Sequence, residues 1–276
     1  MITEDYAVTF ACYNQLDYTR RCVESLVASG IDLGRVIAVD NGSTDDTRAY
    51  LASLNLGGRI FNKDNLGCGV AWNQGALLLQ SEWTVIMNND VVVTQSWLEA
   101  MINAARRNQL RIVCPALIEG DLDYDLAAFS ADASSRMKDA LRIGIDAGHA
   151  VCLAVHASVW MEVGYFRPTP KLFGFEDTLF FNDVRKAAIR TGMTGASWLH
   201  HYGSITQKAM KQEKRLAARE GLGGRDNKDL LEQTWIERKI NKMRKLNRRR
   251  RWRREELAAY RMTMHGLRET GQFRWL

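Results

Sequence analysis

The triplet Asn88-Asn89-Asp90 follows the apolar run Trp83-Thr84-Val85-Ile86-Met87 and precedes Val91-Val92-Val93. A strand of that composition carries a lone carboxylate to its C-terminal tip, with two amides beside it and no lysine competing for it. In an open α/β sheet the ligand crevice lies outside the C-terminal strand ends. An oxygen donor at that place suits a hard divalent ion that also holds phosphates. Taken alone, the triplet reads more readily as an Asn-rich turn, since Asn and Asp favour turns.

Three more polar clusters interrupt the apolar pattern where strands should end: Ala11-Cys12-Tyr13-Asn14, Asp40-Asn41-Gly42-Ser43 and Lys63–Gly69. Four such tips on one parallel sheet would line a single crevice, where a nucleotide would lie. The Tyr13 ring could stack on a base, and Asp40 or Asn41 could accept its imino hydrogen. Gly67 and Gly69 would let backbone approach a ligand closely. Further on, Gly174-Phe175-Glu176-Asp177 sets two carboxylates at a helix start. They are either a cap, since acids favour helix N-termini, or a general base for an incoming hydroxyl. The stretch Trp198–Ser204 holds His200 and His201, imidazoles suited to a metal.

Alternating elements must position these residues. Strands are expected at Tyr6–Cys12, Val36–Val39, Arg59–Asn62 and Trp83–Met87. Helices are expected at Thr19–Ala28, near Asp45–Leu54 with Ser43 or Thr44 as cap, and at Gly69–Leu79. That β-α-β order implies a largely parallel sheet with right-handed crossovers. Residues 121–146, rich in Asp, Ala and Ser, are expected to form a mobile loop. A strand at Ala150–Val155, helices at Ala157–Val163 and Asp177–Arg190, and an irregular or strand segment at Trp198–Thr206 follow. From about Gln207 the chain reads as charged helix, broken around Gly221–Gly224.

With 276 residues, 46% hydrophobic and 25% charged, the chain is ordinary for a globular protein. No apolar run approaches the roughly 18 residues of a membrane span, and the acidic start lacks signal-peptide shape, so a cytoplasmic location is expected. Five scattered cysteines with no CxxC pair argue against a zinc knot or disulfide framework. The net charge of +6 conceals a split. Residues 201–276 hold 21 Lys+Arg against 9 Asp+Glu, so the first 200 are acidic. A basic tail on an acidic body suggests a polyanionic partner, either an anionic membrane surface or nucleic acid. Within it Ile236, Ile240, Met243 and Leu246 recur at helical spacing, with Trp252 and Leu257 beyond. The tail is expected to be separable from the nucleotide crevice.

At this point the residues resemble a known family, the family 2 glycosyltransferases with the GT-A fold. Val8–Asn14 is similar to the first strand and its nucleotide-contacting tip, and Val39–Thr47 to the Asp-rich second tip. Asn65–Gly75 resembles the N-x-G-x-x-x-A-x-N-x-G run, and Gly148–Phe166 the strand-helix passage that ends in VGYF. Asn88-Asn89-Asp90 stands where a metal-binding DxD belongs, with Asn in place of the first acid. Glu176-Asp177 is similar to the acidic pair of inverting members, and His-Tyr-Gly-Ser to the late histidine that some members use as a second metal ligand. The resemblance spans residues 6–206.

It implies an α/β GT-A catalytic domain over 1–206, with a basic helical extension over 207–276. It implies a nucleotide-sugar donor held by Ala11, Tyr13, Asp40, Asn41, Lys63, Asn65, Gly67, Asn73, Asn88 and Asn89. Mn²⁺ or Mg²⁺ would be held by Asp90 and by His200 or His201, with His201 preferred because it directly precedes Tyr-Gly-Ser. Asp177, with Glu176 beside it, would be the base, and Asp183 the alternative. The implied reaction is inverting transfer to a hydroxyl of a lipid-linked or cell-surface glycan, with the tail on the inner face of a membrane. Rival readings are a nucleic-acid acceptor and a catalytically silent binding module.

Overall fold

The computed structural model describes residues 5–169, 174–206, 209–210 and 230–276. Four parallel strands form its first half: β1 (Tyr6–Cys12), β2 (Val36–Asp40), β3 (Gly58–Phe61) and β4 (Trp83–Asn88), in spatial order β3-β2-β1-β4. Between them run α1 (Leu16–Ala28), α2 (Thr47–Ser53) and α3 (Cys68–Leu78). β1 and β2 are buried along nearly their whole length because helices cover both faces, as continuous apolar strands require. Alternation then divides the core. Val8, Phe10, Val85 and Met87 face α1, while Ile86 faces the opposite layer with Trp72 of α3. α3 lies very close to β1 at Gly75, where an added methyl would come within 1.8 Å of Thr9 Oγ1.

The second half continues the sheet with changes of direction. β5 (Val91–Val93), α4 (Trp97–Arg107), β6 (Ile112–Gly120), α5 (Leu126–Met137), β7 (Leu141–Ile143), β8 (Cys152–His156), α6 (Ala157–Val163), α7 (Glu176–Lys186) and β9 (Thr191–His201) follow in chain order. β8 runs antiparallel between β4 and β6, and β9 runs parallel to β6 along its other edge. β5 pairs antiparallel with β9, so Val91, the residue after Asp90, lies opposite His201.

Two sequence expectations are corrected here. Residues 121–146 are not a loop. Asp125 caps α5 through the Ala128 N–H at 2.9 Å, and its buried face is made of Ser130, Ala133 and Met137. Small residues on the buried side left little apolar periodicity to read, although alanine is the strongest helix former. The tail is also not purely helical. Thr234 and Glu237 form a capping box for α8 (Trp235–Tyr260), after which β10 (His265–Glu269) and β11 (Gln272–Trp275) make a hairpin. β10 pairs parallel with β6, so the chain's last residues belong to the main sheet. The break expected around Gly221–Gly224 lies outside the described residues.

The tail is therefore not separable as expected. Trp252, Met262 and Met264 are buried in the same core as α5, α6 and α7. Glu256 forms a bidentate ion pair with Arg142 of β7 at 2.6 and 2.7 Å and accepts the Met264 N–H at 2.9 Å. The N-terminal half of α8 differs. Trp235, Ile236, Ile240, Met243 and Leu246 are all between 42% and 65% exposed.

Candidate active site

The tips of β1, β2 and β4 open on one crevice. Ala11, Tyr13, Asn41, Asn65, Asn88, Asn89 and Asp90 line it, together with Cys68, Trp72, Ser204 and Thr206. The tips are laced to one another. Asn14 Oδ1 accepts the Thr44 N–H at 2.7 Å, and its own N–H donates to Ser43 Oγ at 2.8 Å, tying β1 to β2. Asn41 Nδ2 donates to Asn65 Oδ1 at 2.9 Å, and Asn41 Oδ1 accepts from Asn62 Nδ2 and the Leu66 N–H, both at 3.0 Å. Gly67, at φ +87°, turns the chain into α3 beneath this amide ladder.

Four residues expected at the donor, Asp40, Lys63, Gly67 and Asn73, do not line the crevice; Gly67 serves the turn just described. Asp40 is fully buried, and its carboxylate accepts the Ser43 N–H at 3.2 Å and Arg48 Nε at 3.0 Å. It shapes the turn and does not line the crevice, which leaves Asn41 there. Asn73 spends both ends of its amide on the Phe166 backbone, at 2.7 and 3.0 Å, and so clamps the chain after α6 onto α3. Lys63 is exposed and does not line the crevice.

At the crevice end, Asp90 Oδ1 lies 3.3 Å from His201 Nε2, and both side chains are buried. The contact lacks hydrogen-bond geometry, so His201 Nε2 is a buried polar atom without a hydrogen-bond partner among the described residues. Nδ1 of the same ring meets Glu119 Oε1 at 3.1 Å, and Glu119 Oε2 meets His265 Nε2 at 3.2 Å. Strand register creates this row, because His201 of β9 stands opposite both Glu119 of β6 and Val91 of β5. Burial alone would push His201 down, but Asp90 and Glu119 raise it to about 9. His201 and His265 in turn hold Glu119 well below the usual carboxylate range.

His200, one residue back on the strand, faces the other way. Tyr124 OH at 3.1 Å and the Gly120 carbonyl at 3.1 Å occupy its two nitrogens, and burial pushes it down to about 4.

These residues fit a hard divalent ion. A buried imidazole nitrogen and a carboxylate oxygen 3.3 Å apart can share a cation, with diphosphate oxygens and water filling the remaining positions. Glu119 supplies the carboxylate that commonly orients a metal-bound histidine. No cluster of three protein ligands exists among the described residues, so most of the coordination would come from substrate. Glu119 and His265 were missed in the sequence. Glu119 sits near the C-terminal end of β6, the position on a strand that marked the other tips.

The acidic pair opens α7. Glu176 is buried against the first turn of α3, where a methyl built on Gly69 would lie 3.4 Å from its Cβ and Cγ. Burial, reinforced by the charge of Asp177, raises it. Burial, then the charges of Glu176, Asp90 and Asp177, push the crevice thiol of Cys68 up to about 12. Cys68, on the crevice wall, thus lies within electrostatic reach of all three carboxylates, of which Asp90 alone lines the crevice. Asp177 is less buried, accepts the Thr178 N–H at 2.7 Å, and borders a second cavity between α7 and α8. Asp183, the alternative base, is paired with Arg167 at 3.1 Å.

Known proteins share this chain's sequence pattern and its fold. "Putative glycosyltransferase EpsH" of Bacillus subtilis is 26% identical over 135 residues, covering 46% of this chain and 39% of that one. The chain spans less than half the length of the curated relatives it matches. Its fold is shared with GalNAc-T7 solved with UDP, GalNAc and Mn²⁺, at TM-score 0.57 and 12% identity, covering 72% of this chain and 43% of that one. It is shared as well with the mannosyltransferase PcManGT of Pyrobaculum calidifontis solved with GDP-Man and Mn²⁺. That match has TM-score 0.55 and 12% identity, covering 76% of this chain and 61% of that one. The architecture is GT-A. Residues 8–164, more than half of the chain, match the family described as Glycosyl transferase family 2, and the chain belongs to that family.

Proposed function

We propose that this enzyme transfers a sugar from a nucleotide-sugar donor to a hydroxyl acceptor with inversion and with help from a divalent cation. The observation that carries the reading is the buried Asp90–His201 pair at the crevice, with Glu176 of the acidic pair packed on Gly69, next to the crevice residue Cys68. Ala11, Tyr13, Asn41, Asn65, Asn88 and Asn89 would hold the nucleotide, the Tyr13 ring against the base and Asn41 at its imino edge. Asp90 and His201 would hold Mn²⁺ or Mg²⁺, which when bound neutralises charge on the departing diphosphate. Asp177 takes the acceptor proton as the hydroxyl oxygen attacks the anomeric carbon from the face opposite the diphosphate. One C–O bond forms, the bond to phosphate breaks, and the configuration inverts.

Glu176, raised by burial, stands beside Asp177 at the start of α7. General-base removal costs about 10²–10⁴-fold in rate. Asp177→Asn should therefore retain donor affinity and lose transfer by that factor, measured with whichever nucleotide-sugar a donor screen identifies. Full transfer activity in Asp177→Asn removes the assignment. Asp90→Ala should abolish metal-stimulated nucleotide binding while the protein stays folded.

The acceptor is proposed to be a lipid-linked or cell-surface glycan met at the cytoplasmic face of a membrane. No helix among the described residues is long and apolar enough to cross a membrane. The exposed apolar stripe of α8, flanked by cations and free of acids from Arg238 to Arg254, suits a helix lying in an anionic interface.

A further inference from the structure

A second cavity lies between the 145–148 turn, α7 and the middle of α8, and Asp177 sits on its wall. Its other polar residues are mostly donors: Asn182 and Arg185 from α7, and Lys242, Lys245 and Arg248 from α8. Arg248 is paired with Asp146. The four cations of the lining thus meet two carboxylates there, Asp146 and Asp177. Burial and the charge of Arg249 push Lys245 down, against the pull of Asp146 and Asp177. Positive charge is thus gathered beyond what the protein itself neutralises.

Asn182 is 5% exposed, and its Oδ1 accepts from Arg185 at 2.6 Å and from Gln233 at 3.3 Å, which fixes the guanidinium on this wall. An oxygen-rich anion in the cavity would pair with that guanidinium and with the lysines.

The position of the acidic pair gives the cavity its meaning. Glu176 packs toward Gly69 and Cys68 on the crevice side, while the next residue, Asp177, opens on the cavity. A hydroxyl entering from the cavity would meet the base before it met the donor. We propose that this cavity is the acceptor site and that it takes a hydroxyl compound carrying a phosphate, with Lys242, Lys245 and Arg185 on the phosphate and Asp177 at the hydroxyl. The proposal rests on the reading of the crevice as the donor site and of Asp177 as the base. The phosphate could belong to a lipid headgroup or to a soluble polyol phosphate.

The test is calorimetry on the full chain with glycerol 3-phosphate and glycerol as probes. UDP or GDP with Mn²⁺ is kept saturating, so that the donor's own phosphate subsite is filled. Glycerol 3-phosphate should bind at least about tenfold more tightly than glycerol, and Lys242→Gln and Lys245→Gln should each weaken it about tenfold, the worth of one charge-assisted hydrogen bond. Nucleotide affinity should be unchanged in both, which also reports that they fold. A parallel arm with phosphatidylglycerol vesicles separates the sources: binding there and not to the soluble probe assigns the phosphate to a lipid. If neither form is preferred over glycerol, or if preference survives both substitutions, the proposal is wrong. If the phosphate preference appears but the wild type binds no nucleotide, the donor reading fails and the cavity stands as an anion site alone.

Discussion

Replacing Glu256 by Gln should unfold this protein far more readily than a surface change would. Both partners of the Arg142–Glu256 pair are 8% exposed, and the two bonds are 2.6 and 2.7 Å. The same carboxylate also accepts the Met264 N–H, and Arg142 sits over the Trp252 ring at 5.5 Å. Gln preserves the volume but turns an amide NH₂ toward groups that are themselves donors, and leaves the guanidinium buried without a counter-charge. Breaking a buried pair in this way costs about 3–5 kcal/mol, whereas an exposed pair is worth about 0–1 kcal/mol. Against a total stability of roughly 5–15 kcal/mol, that is a large share, and at about 2–4 °C per kcal/mol the melting point should fall by roughly 6–20 °C. Urea unfolding followed by tryptophan fluorescence measures it. The double change Arg142→Met with Glu256→Met removes both charges and should recover most of the loss, because apolar replacement of a buried pair is often neutral. A single-mutant loss below about 1 kcal/mol, or a double mutant no better than Glu256→Gln, would refute the reasoning.

Other consequences are as direct. Glu119→Gln should weaken Mn²⁺ binding by about 10–100-fold, read by the paramagnetic signal of free Mn²⁺, because it orients the candidate ligand His201; unchanged affinity makes Glu119 a bystander. His149 donates from Nε2 to the Pro115 carbonyl at 2.9 Å and accepts the Cys152 N–H at Nδ1 at 3.4 Å, and burial pushes it down to about 4. A proton on Nδ1 would set donor against donor, so its contribution is complete above pH ~6.5 and is lost as pH falls from there toward 4, up to about 3 kcal/mol. Urea midpoints across that range should fall less steeply in His149→Gln than in the wild type. Changing Ile236, Ile240 and Met243 together to Ser should reduce co-sedimentation with anionic vesicles without altering the melting point. Equal sedimentation would show that cations alone, at about 1 kcal/mol each, hold the surface.

The strand tips were legible because a parallel sheet must end its apolar runs in polar turns, and four such ends could be read at Cys12, Asp40, Asn62 and Asn88. Which tip residue faces the ligand was not legible, because that depends on which hydrogen bonds the neighbouring tip has already claimed. Asp40 is consumed by Ser43 and Arg48, and Asn73 by Phe166, so the more polar-looking residue is in each case a scaffold. The histidine pair shows the opposite case. Adjacent residues on a strand must face opposite sides, so only one of His200 and His201 could meet Asp90. Its place before Tyr-Gly-Ser favoured His201, and register with β5 and β6 supplies the physical reason. Register also hid Glu119 and His265, which lie 146 residues apart and meet only because the final hairpin adds to the main sheet. The hairpin's second strand alternates polar and apolar residues, and Thr270-Gly271 before it are both at positive φ, as a two-residue turn requires. Read as part of a long basic tail, those residues looked dispensable. Paired to β6 they bring His265 against the carboxylate that steadies His201, so loss of the hairpin should disturb the candidate metal site as well as the core.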